Sequence, residues 1–241
     1  MLRFLARLAY GALHAHGVRR TINGVNVVLP ASIARGVPPE IRSEILGPFL
    51  EAVPGAVVFD VGANVGVWTA LALGAGARYV VAIEPDPGCA VVLGQLARIQ
   101  SSRVHVIASA AGAEDGSGHL VVTTPRAATN HIGASGTPVP IVRLDTVARQ
   151  TRLRPDVVKI DVEASELRVL EGMGTLFDSR PVILAELHWT RGVTPDAMLA
   201  LAAVRRLTFR AIDGRVLGDP EALVRVNAVR IEPDRERTVA S

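Results

Sequence analysis

Five acids and a histidine stand where side chains could do chemistry. Asp60 lies in Val57-Val58-Phe59-Asp60-Val61, Glu84 closes Tyr79-Val80-Val81-Ala82-Ile83, Asp161 and Glu163 close Val157-Val158-Lys159-Ile160, and Glu186-Leu187-His188 ends the apolar run from Pro181. These runs are short and apolar on both faces, the mark of buried parallel strands. A carboxylate buried at such a strand end costs several kcal/mol unless it meets a partner, so something polar or cationic belongs beside Asp60. Repetition at four strand ends points to one shared crevice, where open α/β sheets bind ligands. Two apart on a strand, Asp161 and Glu163 share a side unless the chain has turned by Glu163.

The turn after Asp60 reads Gly62-Ala63-Asn64-Val65-Gly66 and runs into a helix from Val65 to Leu73. Gly62 and Gly66 can take backbone angles closed to other residues and leave no Cβ in the way of a ligand beside the helix N-terminus. Glu84 falls about twenty residues on, where nucleoside-binding folds hold ribose hydroxyls. Asn64 stands where a dinucleotide fingerprint needs its second glycine, which favours a nucleoside ligand without a pyrophosphate. A Gly-x-x-x-Gly turn alone is common, so the weight rests on strand, turn and second acid together. Ser109 follows the third strand, Val104 to Ala108, on the same edge. It could bond a flat base lying there, or be an ordinary turn serine.

The elements that must position these residues follow from pattern. With 241 residues, 49% hydrophobic and 4% aromatic, the chain can bury one α/β core packed by Val, Leu, Ile and Ala. Met1 to Gly17 has apolar residues at helical spacing, and Arg7 interrupts any secretory core. No run spans a membrane, though weak membrane-surface contact by 1–17 is one reading. Asn23-Gly24 predicts a hairpin, and Pro38-Pro39-Glu40 a helix through Leu50. Segment 116–140 reads as strands flanking a long loop that could cover substrate, with His131 a candidate contact. A helix from Pro195 to Leu207, a strand from Thr208 to Ile212, a last strand from Leu223 to Ile231 and a frayed tail complete the chain.

DVGANVGVWT, AIEPDP and KIDVEASELRVLEGM together resemble the FkbM family of S-adenosylmethionine-dependent methyltransferases. The resemblance implies a class I methyltransferase-like, Rossmann-like α/β fold: a doubly wound, mostly parallel seven-stranded sheet with an antiparallel C-terminal strand and a small N-terminal helix and hairpin extension. It implies an extension over 1–54, a cofactor domain over 55–232 and a flexible tail over 233–241. Asp60, Gly62, Asn64 and Gly66 would hold the methionine part of S-adenosyl-L-methionine, and Glu84 its ribose diol. The family usually has Gly where this chain has Ala164, so the backbone after Glu163 could be set differently.

In such an enzyme Asp161 is the first candidate base for a small-molecule hydroxyl, such as that of a sugar or secondary metabolite, and His188 the second. Asp161 could instead bind the methionine ammonium or pair with Lys159, and His188 could simply bond a loop. Asp161, Glu186 and His188 could also hold magnesium or manganese, but no ligand spacing demands it and no metal is expected. A nicotinamide dehydrogenase shares the strand-acid pattern, though Asn64 opposes it, and a non-catalytic cofactor-binding protein would keep the cradle. The 26 Lys plus Arg against 23 acids, net +3, are scattered, which argues against a nucleic-acid footprint. A lone Cys89 excludes an internal disulfide, so a reducing, cytoplasmic setting is the expectation.

Overall fold

The computed structural model describes residues 17–100, 102–124, 129–189 and 193–234. Asn23 and Gly24 take φ of 47° and 79°, making the two-residue turn that joins β1 (Val18–Ile22) antiparallel to β2 (Val25–Leu29). Left-handed angles at both turn residues match the twist of the flanking strands. After α1 (Ala31–Ala34), the helix predicted from Pro38 begins only at Leu46, as α2 (Leu46–Ala52). Asn23 explains the delay. Its side chain accepts from the Ile41 amide at 2.8 Å and donates to the Ile41 carbonyl at 3.1 Å, and its own amide donates to Pro39 O at 3.0 Å. The backbone of 39–41 is thus committed to the hairpin turn. Pro48 also fits the first turn of a helix starting at Leu46, whereas deep in a longer one it would break the ladder.

Strands and helices then alternate: β3 (Val57–Val61), α3 (Val67–Gly74), β4 (Tyr79–Ile83), α4 (Pro87–Ile99) and β5 (Val104–Ile107). An excursion follows through β6 (Ala110–Ala111), β7 (Gly116–Val121), β8 (His131–Gly133) and β9 (Thr137–Val142), which form a separate sheet in the order β6-β9-β7-β8. The alternation resumes with α5 (Leu144–Thr151), β10 (Val157–Ile160), α6 (Glu166–Glu171), β11 (Val182–Glu186), α7 (Pro195–Arg205), β12 (Leu207–Ala211), α8 (Pro220–Val224) and β13 (Ala228–Pro233).

The main sheet has seven strands in the order β12-β13-β11-β10-β3-β4-β5. All pairs are parallel except those of β13 with β11 and β12. This is the predicted doubly wound sheet with an antiparallel C-terminal strand. Every residue of β3 and β10 is buried, as central strands covered on both faces require. The hairpin packs Ile22, Val27 and Leu29 onto Ala70 and Leu71 of α3.

The last strand begins at Ala228 rather than Leu223. Asp219 accepts from the Ala222 amide at 2.8 Å and Pro220 takes the first helical position, so Leu223 belongs to the short α8. Glu232 pairs with Thr208 inside the sheet, so the polar end is ordered at least that far. The amphipathic helix expected over 1–17 falls, but for Gly17, on residues outside those described, as does the tail from 235.

From β3 the chain builds outward to β4 and β5, then returns to place β10 on the other flank of β3. The sheet therefore reverses its winding between β3 and β10, and a crevice opens at their carboxyl ends.

Candidate functional site

Gly62 and Gly66, φ 76° and 86°, turn β3 into α3. What forbids a side chain there is the protein itself. A Cβ on Gly62 would overlap the Asp161 carbonyl oxygen, and one on Gly66 would meet Leu93 Cδ2 at 2.8 Å. The first glycine lets β3 and β10 converge, and the second seats α3 on α4. Asn64 is also left-handed, φ 48°, with its Oδ1 accepting from the Val65 amide at 2.7 Å. Its own amide donates to Glu84 Oε2 at 2.9 Å, and the Asp86 amide donates to Glu84 Oε1 at 2.8 Å. Each Glu84 oxygen keeps a lone pair for a further donor. Burial raises the Glu84 pKa above its ordinary value, while the two amides pull it back.

Asp60 is wholly buried and is absent from the crevice wall. It accepts from Thr69 Oγ1 at 2.6 Å and lies 3.5 Å from Lys159 Nζ. The cation expected beside Asp60 is therefore Lys159, a neighbour across the sheet, and not a ligand. Lys159 also donates to the Gly62 carbonyl at 3.0 Å, pairs with Asp161 Oδ2 at 3.4 Å and sits 5.6 Å from the centre of the Trp68 ring. Burial, the largest influence, pulls the Lys159 pKa down, but Asp161 and Asp60 outweigh it and hold it above its ordinary value.

The crevice encloses about 300 Å³. Its floor is Gly62, Ala63, Asn64 and Glu84, with Lys159, Asp161 and Glu163 on the far side and Ile83, Ala110 and Ala111 as an apolar shelf. Leu120, Asn130, His131 and Ile132 of the small sheet form the opposing wall. Asn130 Nδ2 donates to Asp86 Oδ2 at 2.9 Å, tying that wall to the cap of α4. His131 lies in β8 where a loop was expected, and its Nδ1 faces the Thr129 carbonyl at 3.1 Å. A carbonyl only accepts, so Nδ1 is the donor in this contact and Nε2 is the ring nitrogen left facing elsewhere.

Of the residues predicted for cofactor and chemistry, Gly62, Asn64, Glu84 and Asp161 line the crevice; Asp60, Gly66, Ser109 and His188 do not. Ser109 is displaced because the chain turns there into β6, which presents Ala110 and Ala111 instead. His188 stands behind Glu163, its Nε2 3.6 Å from Glu163 Oε1 and its Nδ1 2.7 Å from Glu166 Oε1. The Glu166 hydrogen bond, outweighing the effect of burial, raises the His188 pKa to about 9. His188, a candidate base by its place at the strand end, is thus outside the crevice lining, with its ring held between two carboxylates. Burial, with the charges of Asp161, Glu166 and Glu186, raises the Glu163 pKa against the pull of His188. Glu163 and Ala164 both have positive φ, 50° and 72°. Ala164 thus keeps the left-handed turn that glycine would make without strain.

Residues 60–211, more than half of the chain, match the family described as Methyltransferase FkbM domain. The chain belongs to the FkbM methyltransferase family. Among solved structures, this FkbM domain is similar to methyltransferase FkbM from Methylobacillus flagellatus KT, at 18% identity and a TM-score of 0.52 over 74% of this chain and 43% of that one. It thus spans less than half of that protein, and the likeness bears on the fold. A putative methyltransferase, SMU.776, complexed with SAH, aligns at 9% identity and TM-score 0.47 over 90% of this chain and 56% of that one. The ribosomal protein L11 methylase from Lactobacillus delbrueckii subsp. bulgaricus aligns at 11% identity and 0.45, over 78% and 76%. No curated protein matches the chain. No helix among the described residues is long and apolar enough to cross a membrane.

Two residues of the FkbM site went unread in the sequence. Glu166 is fully buried at the start of α6 and grips His188; the acid three residues after Glu163 was its signal. Trp68 lines the crevice from α3 and packs edge-on against Phe49, ring centres 5.0 Å apart. A tryptophan following a glycine turn carries no such signal.

Proposed function

We propose that this FkbM domain is an S-adenosylmethionine-dependent O-methyltransferase acting on a small-molecule hydroxyl. The observation that carries the reading is Glu84, a buried carboxylate on the crevice floor, pinned by the Asn64 and Asp86 amides with lone pairs left over. Two ribose hydroxyls match those acceptors, and the Ile83, Ala110 and Ala111 shelf suits a flat base. The volume lies at the lower end of small-molecule sites. Bound here, S-adenosylmethionine supplies an electrophilic methyl group on a sulfonium.

The chain's part is to orient, exclude water and move one proton. Leu120 and Ile132 shield the crevice, and holding acceptor and donor in line accounts for roughly 7 to 11 kcal/mol of barrier reduction. Asp161, whose side chain is 26% exposed at the crevice wall, accepts the proton of the acceptor hydroxyl. A positioned base of this kind contributes about 10²- to 10⁴-fold. His131, which lines the crevice with Nδ1 bonded to the Thr129 carbonyl and Nε2 left over, supports a second reading in which it is the base.

Isothermal titration with S-adenosylmethionine tests the cofactor. Heat in wild type that is lost in Glu84→Ala is expected; no heat, or heat unchanged by the substitution, overturns the reading. Turnover of Asp161→Asn and His131→Gln across pH assigns the base, and full turnover by both removes it.

A further inference from the structure

We infer that Asp161, Glu186 and His188 form a divalent-cation site beside the crevice, with Glu166 orienting the imidazole, against the expectation of no metal. One ligand atom from each of the three lies within 4.8 Å of the others, although they come from the ends of two strands. On bonds of about 2.1 Å, octahedral ligands stand about 3.0 Å apart when adjacent and about 4.2 Å when opposed, so small side-chain rotations close the trio on an ion.

Glu166 is the independent sign. It is 0% exposed, its Oε1 is 2.7 Å from His188 Nδ1, and its Oε2 is buried with no hydrogen-bond partner. An ionised carboxylate only accepts, so Nδ1 carries hydrogen and Nε2 is the atom left for a metal, the usual carboxylate–imidazole–metal arrangement. Lys159 serves Asp60 and Asp161, which leaves His188 as the one ion-pair partner of Glu163 and Glu166 and leaves Glu186 with none, among the described residues. Glu186 is steadied instead by the Ser43 hydroxyl, which donates to its Oε1 at 2.5 Å. Such an excess of carboxylate is what a cation would offset. Two carboxylates with one imidazole suit manganese(II).

The ion would bind an acceptor hydroxyl together with a neighbouring oxygen of the same molecule, which names the substrate class as oxygen chelators. Asp161, coordinating through one oxygen, keeps the other for the proton. This role rests on the methyl-transfer reading; the ion site does not.

The whole chain, stripped with chelator, is titrated with manganese(II) alone, with and without S-adenosylmethionine, and free ion is followed by electron paramagnetic resonance. One ion per chain is expected, bound about 10-fold or more weakly by Glu186→Gln, His188→Gln and Glu166→Gln and equally by Glu221→Gln, an exposed residue of α8 outside the trio. Pulsed resonance on wild type should show coupling to one imidazole nitrogen, a readout that needs no variant to fold. No uptake in either state, uptake indifferent to Glu186→Gln and His188→Gln, or no nitrogen coupling overturns the site. Cofactor calorimetry on the same stripped protein reads the methyltransferase proposal separately: cofactor heat without manganese uptake sinks the ion site alone, and uptake without cofactor heat sinks only its role.

Discussion

Replacing Lys159 by Met tests the electrostatic centre of this fold. The ammonium is fully buried, 3.5 Å from Asp60 Oδ1 and 3.4 Å from Asp161 Oδ2, and holds the Gly62 carbonyl at 3.0 Å. Asp60 is 0% exposed, and its Oδ1 has no hydrogen bond. Without Lys159 its charge is stranded. Removing one member of a buried pair costs about 3–5 kcal/mol, and the lost bond to Gly62 adds about 1 kcal/mol. At roughly 2–4 °C per kcal/mol for a chain of this size, a loss of about 4–6 kcal/mol lowers Tm by roughly 8–24 °C. Adding Asp60→Asn removes the stranded charge, keeps a partner for Thr69, and recovers about 2 kcal/mol as a coupling energy. Because the Lys159 pKa is raised, deprotonation of the lysine takes nothing from its contribution below pH 10.5 and weakens it only above, so urea unfolding near neutrality reads the lysine's charge whole. A cost under about 1 kcal/mol for Lys159→Met, or strictly additive effects in the double variant, would refute this account.

Three further outcomes are expected. The His188 pKa is raised, so its contribution to stability is complete below pH 6.5 and disappears as pH climbs through about 9. In metal-free protein, NMR titration should give that midpoint, and Glu166→Gln should lower it by roughly one pH unit or more; an unmoved midpoint excludes Glu166 as the cause. Gly24→Ala and Gly62→Ala share a positive φ, but only the second meets an obstacle. The first should cost about 1–2 kcal/mol of backbone strain and the second several times more, with loss of cofactor heat; equal costs in denaturant melts would contradict the Gly62–Asp161 contact. Ala164→Gly should raise stability by up to about 1 kcal/mol, since left-handed strain outweighs the added freedom of the unfolded chain; a lowered Tm would mean that the turn is unstrained.

The sheet was legible because its central strands are short, largely apolar runs with an acid in or just after them, and the crevice because three of those acids, Glu84, Asp161 and Glu163, line it. Glu84 stood out by its spacing from the glycine turn, and Asn64 through the family resemblance; both line the crevice. What pattern could not resolve was which acids are already satisfied. Asp60 and Asp161 look alike in sequence, yet Lys159 points between them, and only the register of β3 against β10 reveals this. His188 likewise read as a free strand-end imidazole, and nothing in the sequence placed buried Glu166 against its ring. Helix starts were misplaced where a distant side chain intervened, as Asn23 does at Ile41. Where the signal was local, in Asp219-Pro220, it was present but overlooked among the apolar residues that follow.

The excursion from β5 to β10 leaves and re-enters through a parallel bridge, Ala110 against Ile141 and Ala111 against Val142. That clasp makes the small sheet a loop sealed at its own neck. Its tip can grow, shrink or change sequence without pulling on either neighbouring strand. The wall it gives the crevice is thereby free to diversify while the floor beneath it stays constant.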